Sequence, residues 1–247
     1  MNHTYGWHPD IPDTRDLLYT AIKPVVRLPP KVDLTPGCSA VEDQGQLGSC
    51  TAQALAGNLE FLDNKIDGAY TDISRLFVYY NERVLERTVD SDSGASLRDG
   101  IKTLTKTGAC AETLWPYVIS KFADRPPQRC YADSLKHRIV SYHRITGLQE
   151  MIACLAEGYP FVFGISVYES FESAAVARTG RVPIPKKSER MLGGHAVMAV
   201  GFDDSKQWFM VRNSWGPSWG IKGYFTLPYT YVTDPHLADD FWTIRLI

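Results

Sequence analysis

Gln44-Gly45-Gln46-Leu47-Gly48-Ser49-Cys50-Thr51 puts a glutamine just ahead of a cysteine, and the cysteine opens a helical pattern. Thr51, Ala54, Leu55, Leu59, Leu62 and Ile66 recur at i, i+3 and i+4 spacing. That pattern predicts a helix from Cys50 to about Ile66, with Ser49 as its N-cap and Asp67-Gly68 as its stop. A thiol in the first turn of a helix sits beside unpaired N–H groups and the positive end of the macrodipole. Both favour the thiolate, which is the reactive form. Far downstream stand Gly194-His195-Ala196 and Asn213-Ser214-Trp215-Gly216, which supply an imidazole and an amide.

Those residue types have defined uses together. An imidazolium at His195 lowers the pKa of Cys50 further and can protonate a leaving amine, then act as base for water. The side-chain carbonyl of Asn213 can hold the other ring nitrogen, fixing tautomer and ring angle without adding a charge. Trp215 is placed to shield that bond from water. Gln44 can donate its amide N–H to a tetrahedral oxyanion, together with the Cys50 backbone N–H. Each residue alone has a bland reading, as a buried cysteine, a strand histidine or a turn. It is the combination, in this order, that points to nucleophilic catalysis.

The set resembles the papain-like cysteine peptidases, in which histidine and asparagine follow the cysteine by roughly 130–150 residues. The resemblance runs from Leu28-Pro29-Pro30-Lys31-Val32-Asp33, which is similar to the start of a mature enzyme, to the C-terminus. Its active-site blocks are Gln44-Gly45, Gly48-Ser49-Cys50, His195-Ala196, and Asn213-Ser214-Trp215-Gly216 with Trp219-Gly220. Within the family, the chain looks most like the bacterial branch that includes xylellain. The resemblance implies an α+β fold of two lobes, one helical and one an antiparallel β-barrel-like sheet, with the cleft between them. It implies a peptidase domain over 28–247: a helical lobe over about 45–130, and a β lobe over about 131–247 with the crossing segment 28–44. It further aligns Ser93-Gly94-Ala95 with a wall that pairs with substrate backbone. Ala95, Gly164 and Ala196 then border a roomy pocket for a bulky apolar side chain, and Gly194 and Trp215 join the substrate-binding residues. Leu47, Thr51 and Gly194 depart from the residues common in plant and animal members.

The rest of the chain constrains partners and organisation. With 247 residues, 44% apolar and 22% charged content, it is long enough for a large core. A formal net charge of −2 gives no basic field for nucleic acid. No apolar run reaches the roughly 20 residues that a membrane helix needs. The N-terminus shows no basic segment followed by an apolar one, so a cytoplasmic chain is expected, with trimming or signal-independent export as alternatives. Neither metal nor cofactor is expected. The partner is a peptide or protein substrate, and a monomer is expected. Of Cys38, Cys50, Cys110, Cys130 and Cys154, four can pair and one must stay free.

Residues 1–27 form a proline-interrupted arm, too short for a helical propeptide. Tyr5-Gly6-Trp7-His8-Pro9-Asp10-Ile11-Pro12 is expected in or beside the cleft as an intramolecular inhibitor, which would make the chain a zymogen. A surface strut is the alternative. Further helices are expected over 74–86, 96–106 and 149–157. Strands are expected over 161–167, 195–202, 208–212, 223–227 and 241–246, with a hairpin at Asp203-Asp204-Ser205-Lys206. Two rival functions share the same residues: acyl or peptidyl transfer to an amine, and a papain-like module that binds peptides without catalysis. A redox thiol protein is a third.

Overall fold

The computed structural model describes residues 3–19 and 28–246. The remainder of the proposed arm, Pro24 included, lies outside the described residues. In chain order the elements are β1 (Lys31–Asp33), α1 (Cys50–Asp67), α2 (Arg75–Glu86), α3 (Leu97–Lys106), α4 (Gln128–Ser134), β2 (Ser141–Arg144), α5 (Leu148–Ala156), β3 (Phe161–Tyr168), α6 (Ala174–Thr179), β4 (Met191–Asp203), β5 (Trp208–Arg212), β6 (Tyr224–Pro228), α7 (Tyr229–Val232) and β7 (Ala238–Arg245). Helices dominate the first half and strands the second.

One antiparallel sheet runs in the order β2-β7-β3-β4-β5-β6, with β1 added beside β4. β4 is its axis. Val197 and Ala199 point to a core shared with Phe161, Phe163, Phe209 and Phe225. Their neighbours Ala196, Met198 and Val200 point to a second core with Leu55, Leu59, Leu76, Leu97 and Ile101 of the helices. Successive side chains of a strand face opposite ways, so a strand buried on both faces has an unbroken apolar run. That is why 195–202 reads as a strand and yet does not alternate.

α1 carries the second core. The periodic face read from the sequence is only part of it: every residue from Cys50 to Leu62 is buried, because helices pack on one side and β4 on the other. Ile66, expected inward, is 44% exposed. Gly68 closes the helix in the left-handed region at φ 72°, a conformation open to glycine. Ser49 does not cap α1. Its side chain makes no cap bond and meets the Tyr117 hydroxyl at 2.6 Å instead. Ser74 and Ser96 do cap α2 and α3, accepting from Phe77 and Asp99 N–H.

The helical half and the sheet are joined through buried charge. Arg212 of β5 donates to the carbonyls of Ser39, at 2.6 Å, and Ala40, at 2.5 Å. Glu60 of α1 accepts from Arg75 at 2.9 Å, from Ile73 N–H at 2.9 Å and from the Ser39 hydroxyl. The five cysteines are free thiols. Among the described residues no helix is long and apolar enough to cross a membrane, and no group of three or more His, Cys, Asp or Glu side chains could hold a metal ion.

Candidate active site

The site forms where the start of α1 meets β4 and the turn after β5. His195 lies on β4 and Asn213 just beyond β5. The ring Nε2 of His195 stands 2.8 Å from Asn213 Oδ1. Trp215 stacks on the imidazole at 5.1 Å between ring centroids and is itself buried. The other ring nitrogen, Nδ1, is buried and has no hydrogen-bond partner among the described residues.

Gln44 is wired into the same cluster by Ser214. Its backbone N–H donates to the Ser214 carbonyl at 2.9 Å, and its Oε1 accepts from the Ser214 hydroxyl at 2.6 Å. Ser214 N–H in turn donates to Asn213 Oδ1 at 2.9 Å. The amide of Gln44 is thereby oriented with Nε2 outward, donating to the carbonyls of Leu47 at 2.9 Å and Thr4 at 3.1 Å. Sequence alone does not mark Ser214 as a linker, although it adjoins Asn213 in the same block. A second brace, likewise unmarked, supports the glycines. Asp92 accepts from Gly48 N–H at 3.0 Å, and the Tyr79 hydroxyl accepts from Gly94 N–H at 3.1 Å.

The cleft is occupied by the chain's own arm. Trp7 N–H donates to the Gly194 carbonyl at 3.0 Å, Ala95 N–H donates to Gly6 at 2.7 Å, and His8 N–H donates to Ala95 at 3.3 Å. Trp7 therefore pairs in parallel with Ala95. The Trp7 side chain fills the pocket expected from Ala95, Gly164 and Ala196. A Cβ on Gly164 would come within 1.9 Å of the indole ring, and one on Gly194 within 2.2 Å of the Trp7 carbonyl. A Cβ on Gly6 would lie 1.7 Å from the Gly48 carbonyl oxygen, so only glycine fits where the arm crosses the start of α1. His3 stacks on Trp215 at 3.7 Å. Ser93 is the exception among the expected substrate-binding residues: it is exposed, and its hydroxyl goes to Thr88 Oγ1 at 2.8 Å.

This covering reverses the electrostatic expectation. The sequence argues for a depressed thiol pKa, but burial pushes Cys50 up to about 11. Burial likewise pulls His195 down to about 4, against the opposing effect of the Asn213 hydrogen bond. With water excluded, the charged form of each group is disfavoured. A neutral thiol and a neutral imidazole are therefore the stable pair while the arm is in place.

A thiol at a helix start, an imidazole held by an amide, and an oriented amide donor are the parts of a thiol acyl-transfer site. The family model "Papain family cysteine protease" matches residues 28–234. An uncharacterised peptidase C1-like protein of Acanthamoeba polyphaga mimivirus is 42% identical, across 99% of this chain and 88% of its own. The crystal structure of xylellain, a cysteine protease from Xylella fastidiosa, superposes with a TM-score of 0.94 at 44% identity, covering 100% of this chain and 97% of that one. Digestive procathepsin L 3 of Tenebrio molitor shares the fold at a TM-score of 0.73 and 18% identity, covering 99% of this chain and 76% of that one. The chain belongs to the papain family of cysteine proteases, and its two-lobe α+β fold is that of the family.

Proposed function

We propose that this cysteine protease attacks peptide carbonyls with Cys50, that His195 serves as its acid and base, and that residues 3–19 hold it shut. In this reading Asn213 orients the imidazole, and Gln44 with the Cys50 N–H binds the oxyanion. Peptide or protein is the substrate class. The observation that carries the reading is the Gln44 Nε2 contact with the Thr4 carbonyl: the donor meant for a developing oxyanion is already spent on the arm.

The direction of the arm supports inhibition over self-cleavage. Leaving-group protonation by His195 puts the C-terminal part of a substrate beside His195 and Trp215, and the acyl part beside Ala95 and Gly164. The arm runs the other way, with His3 on Trp215 and Trp7 against Gly164. It fills the groove without presenting a peptide bond in productive polarity. The parallel pairing of Trp7 with Ala95 is the local sign of that reversal.

The test uses an epoxysuccinyl thiol probe read by intact mass and peptide mapping, on the full chain and on its Gly6→Ala variant. Slow labelling of the full chain and fast labelling of the variant, both at Cys50, is the expected result. Fast labelling of both removes the arm from the inhibitory role. No labelling of either removes Cys50 from the nucleophilic role and favours a peptide-binding module. Added amine nucleophiles, with product analysis, separate hydrolysis from acyl transfer.

A further inference from the structure

We propose that Glu172 selects the residue on the leaving-group side of the scissile bond, favouring a side chain that ends in a hydrogen-bond donor, cationic or phenolic. This rests on the reading of Cys50 and His195 given above. The arm serves as a mould of the cleft, and its two aromatic side chains record different things.

Tyr5 stands on the leaving-group side. Its ring meets His195 edge-on at 6.2 Å and Trp215 at 6.4 Å. It rests on Gly193, where a Cβ would come within 2.6 Å of the Tyr5 Cβ. Its hydroxyl donates to Glu172 Oε1. Glu172 lies just before α6 and is half-buried. The nearby acids have partners within their own loop: Glu169 pairs with Arg190 at 3.6 Å, and Glu189 accepts from Ser170 N–H at 3.0 Å. Among the described residues, no lysine or arginine forms an ion pair with Glu172. Its donor comes from the arm.

When the arm leaves, this carboxylate loses that donor next to the imidazole that must protonate the departing amine. A substrate with Lys, Arg or Tyr just after the scissile bond restores a hydrogen bond to a charged acceptor, an interaction stronger than a neutral one. Leucine there leaves the carboxylate unpaired, and glutamate sets like charges together. Glu172 touches substrate in this account but takes no part in bond making or breaking.

The experiment measures kcat/KM for internally quenched peptides that differ only at the residue following the scissile bond: Lys, Tyr, Leu or Glu. Mass spectrometry fixes the bond that is cut. The enzymes are the full chain carrying Gly6→Ala, and the same chain with Glu172→Gln or Glu172→Lys added. Because all four peptides compete for the same open enzyme, their kcat/KM ratios do not depend on how far the arm has withdrawn. The expected Lys-to-Leu ratio is roughly tenfold, falling towards one with Glu172→Gln. Glu172→Lys should shift preference to the Glu peptide. Labelling confined to Cys50, with an unchanged denaturation midpoint, guards against misfolding in each variant. Ratios unchanged by either substitution, with cleavage intact, overturn the role of Glu172 alone. Failure to cleave any peptide, with Cys50 unlabelled, overturns the site reading and this proposal with it.

Discussion

The arm holds to the domain by two different means along its length. From His3 to Trp7 it is fixed chiefly by shape and backbone, beside the side-chain bonds of Gln44 to Thr4 and of Tyr5 to Glu172: glycines at 6, 48, 164, 193 and 194 bring main chain and rings into close contact. The Trp7 indole N–H is buried with no acceptor among the described residues, so that pocket offers form and little polarity. From His8, whose Nε2 lies 3.4 Å from Glu86, to Tyr19 the arm is fixed by charge. Asp10 accepts from Arg98 N–H at 3.0 Å and Trp242 Nε1 at 2.9 Å, and its own N–H donates to Asp240 at 2.7 Å. Asp16 pairs with Arg98 at 2.5 Å, and Arg144 lies 3.6 Å from Asp16 and 3.0 Å from Asp240. In the proposed autoinhibition the first half blocks and the second retains. A peptide copy of the first half alone should therefore inhibit far more weakly than the tethered segment.

Four perturbations test that division. The largest effect is expected from Gln44→Ala, whose amide holds the Thr4 carbonyl and is the proposed oxyanion donor. In the Gly6→Ala background it should lower kcat by roughly 10²–10³-fold, measured on any cleaved peptide. Next is Asp10→Ala, which leaves the Trp242 N–H and nearby guanidinium groups without a buried carboxylate. Such a loss costs about 3 kcal/mol, read as a drop in the unfolding free energy from denaturant titration. Gly6→Ala is smaller and of a different kind. Overpacking costs about 1–3 kcal/mol, so Cys50 labelling should rise roughly tenfold to a hundredfold while the denaturation midpoint barely moves. If Asp10→Ala and Gly6→Ala behave alike, the two halves are not distinct.

The smallest effect expected is with pH, and its sign differs between the halves. His195, walled in by Trp215, Asn213 and the arm's His3, has its pKa lowered to about 4 by burial. Its contribution to the closed form is full above the ordinary value near 6.5 and is lost as pH falls towards 4. Asp240 is raised to about 7, first by burial and then by Asp10 and Asp239, against Arg144. Its contribution is full below the ordinary carboxylate value and is lost as pH rises through about 7. Amide exchange, corrected for intrinsic rates, should show residues 3–7 loosening towards acid and residues 8–19 towards mild alkali, since Glu86 raises the His8 pKa and that contact also weakens as pH rises. Equal pH dependence in both segments would contradict the assignment of shape to one and charge to the other.

What could be read in the sequence follows the range of the interactions. α1 and the strands at 161–168 and 208–212 were legible because apolar spacing is local. Their cores were less so, since burial on all sides of α1 is set by β4, far along the chain. α4 and α6 are too short to stand out in the sequence, and β2 is defined by its pairing with β7 more than by its own pattern. Gln44, Cys50, His195 and Asn213 were visible through their order. Asp92 and Glu172 are not visible, because each acts on a partner distant in sequence and has no local signature; Ser214 lies in a legible block, but its hydroxyl bond to Gln44 spans most of the chain. The helix N-terminus and an arm in or beside the cleft are both legible, but not the full burial of Cys50 that raises its pKa, because burial is a property of the assembled contacts.

Ser214 has a mechanical consequence. Through one residue, the amide facing the carbonyl oxygen and the amide steering the imidazole are fastened to each other. The centre of the groove then behaves as a gauge of fixed width, so any compliance for substrates of different bulk must reside at its two ends.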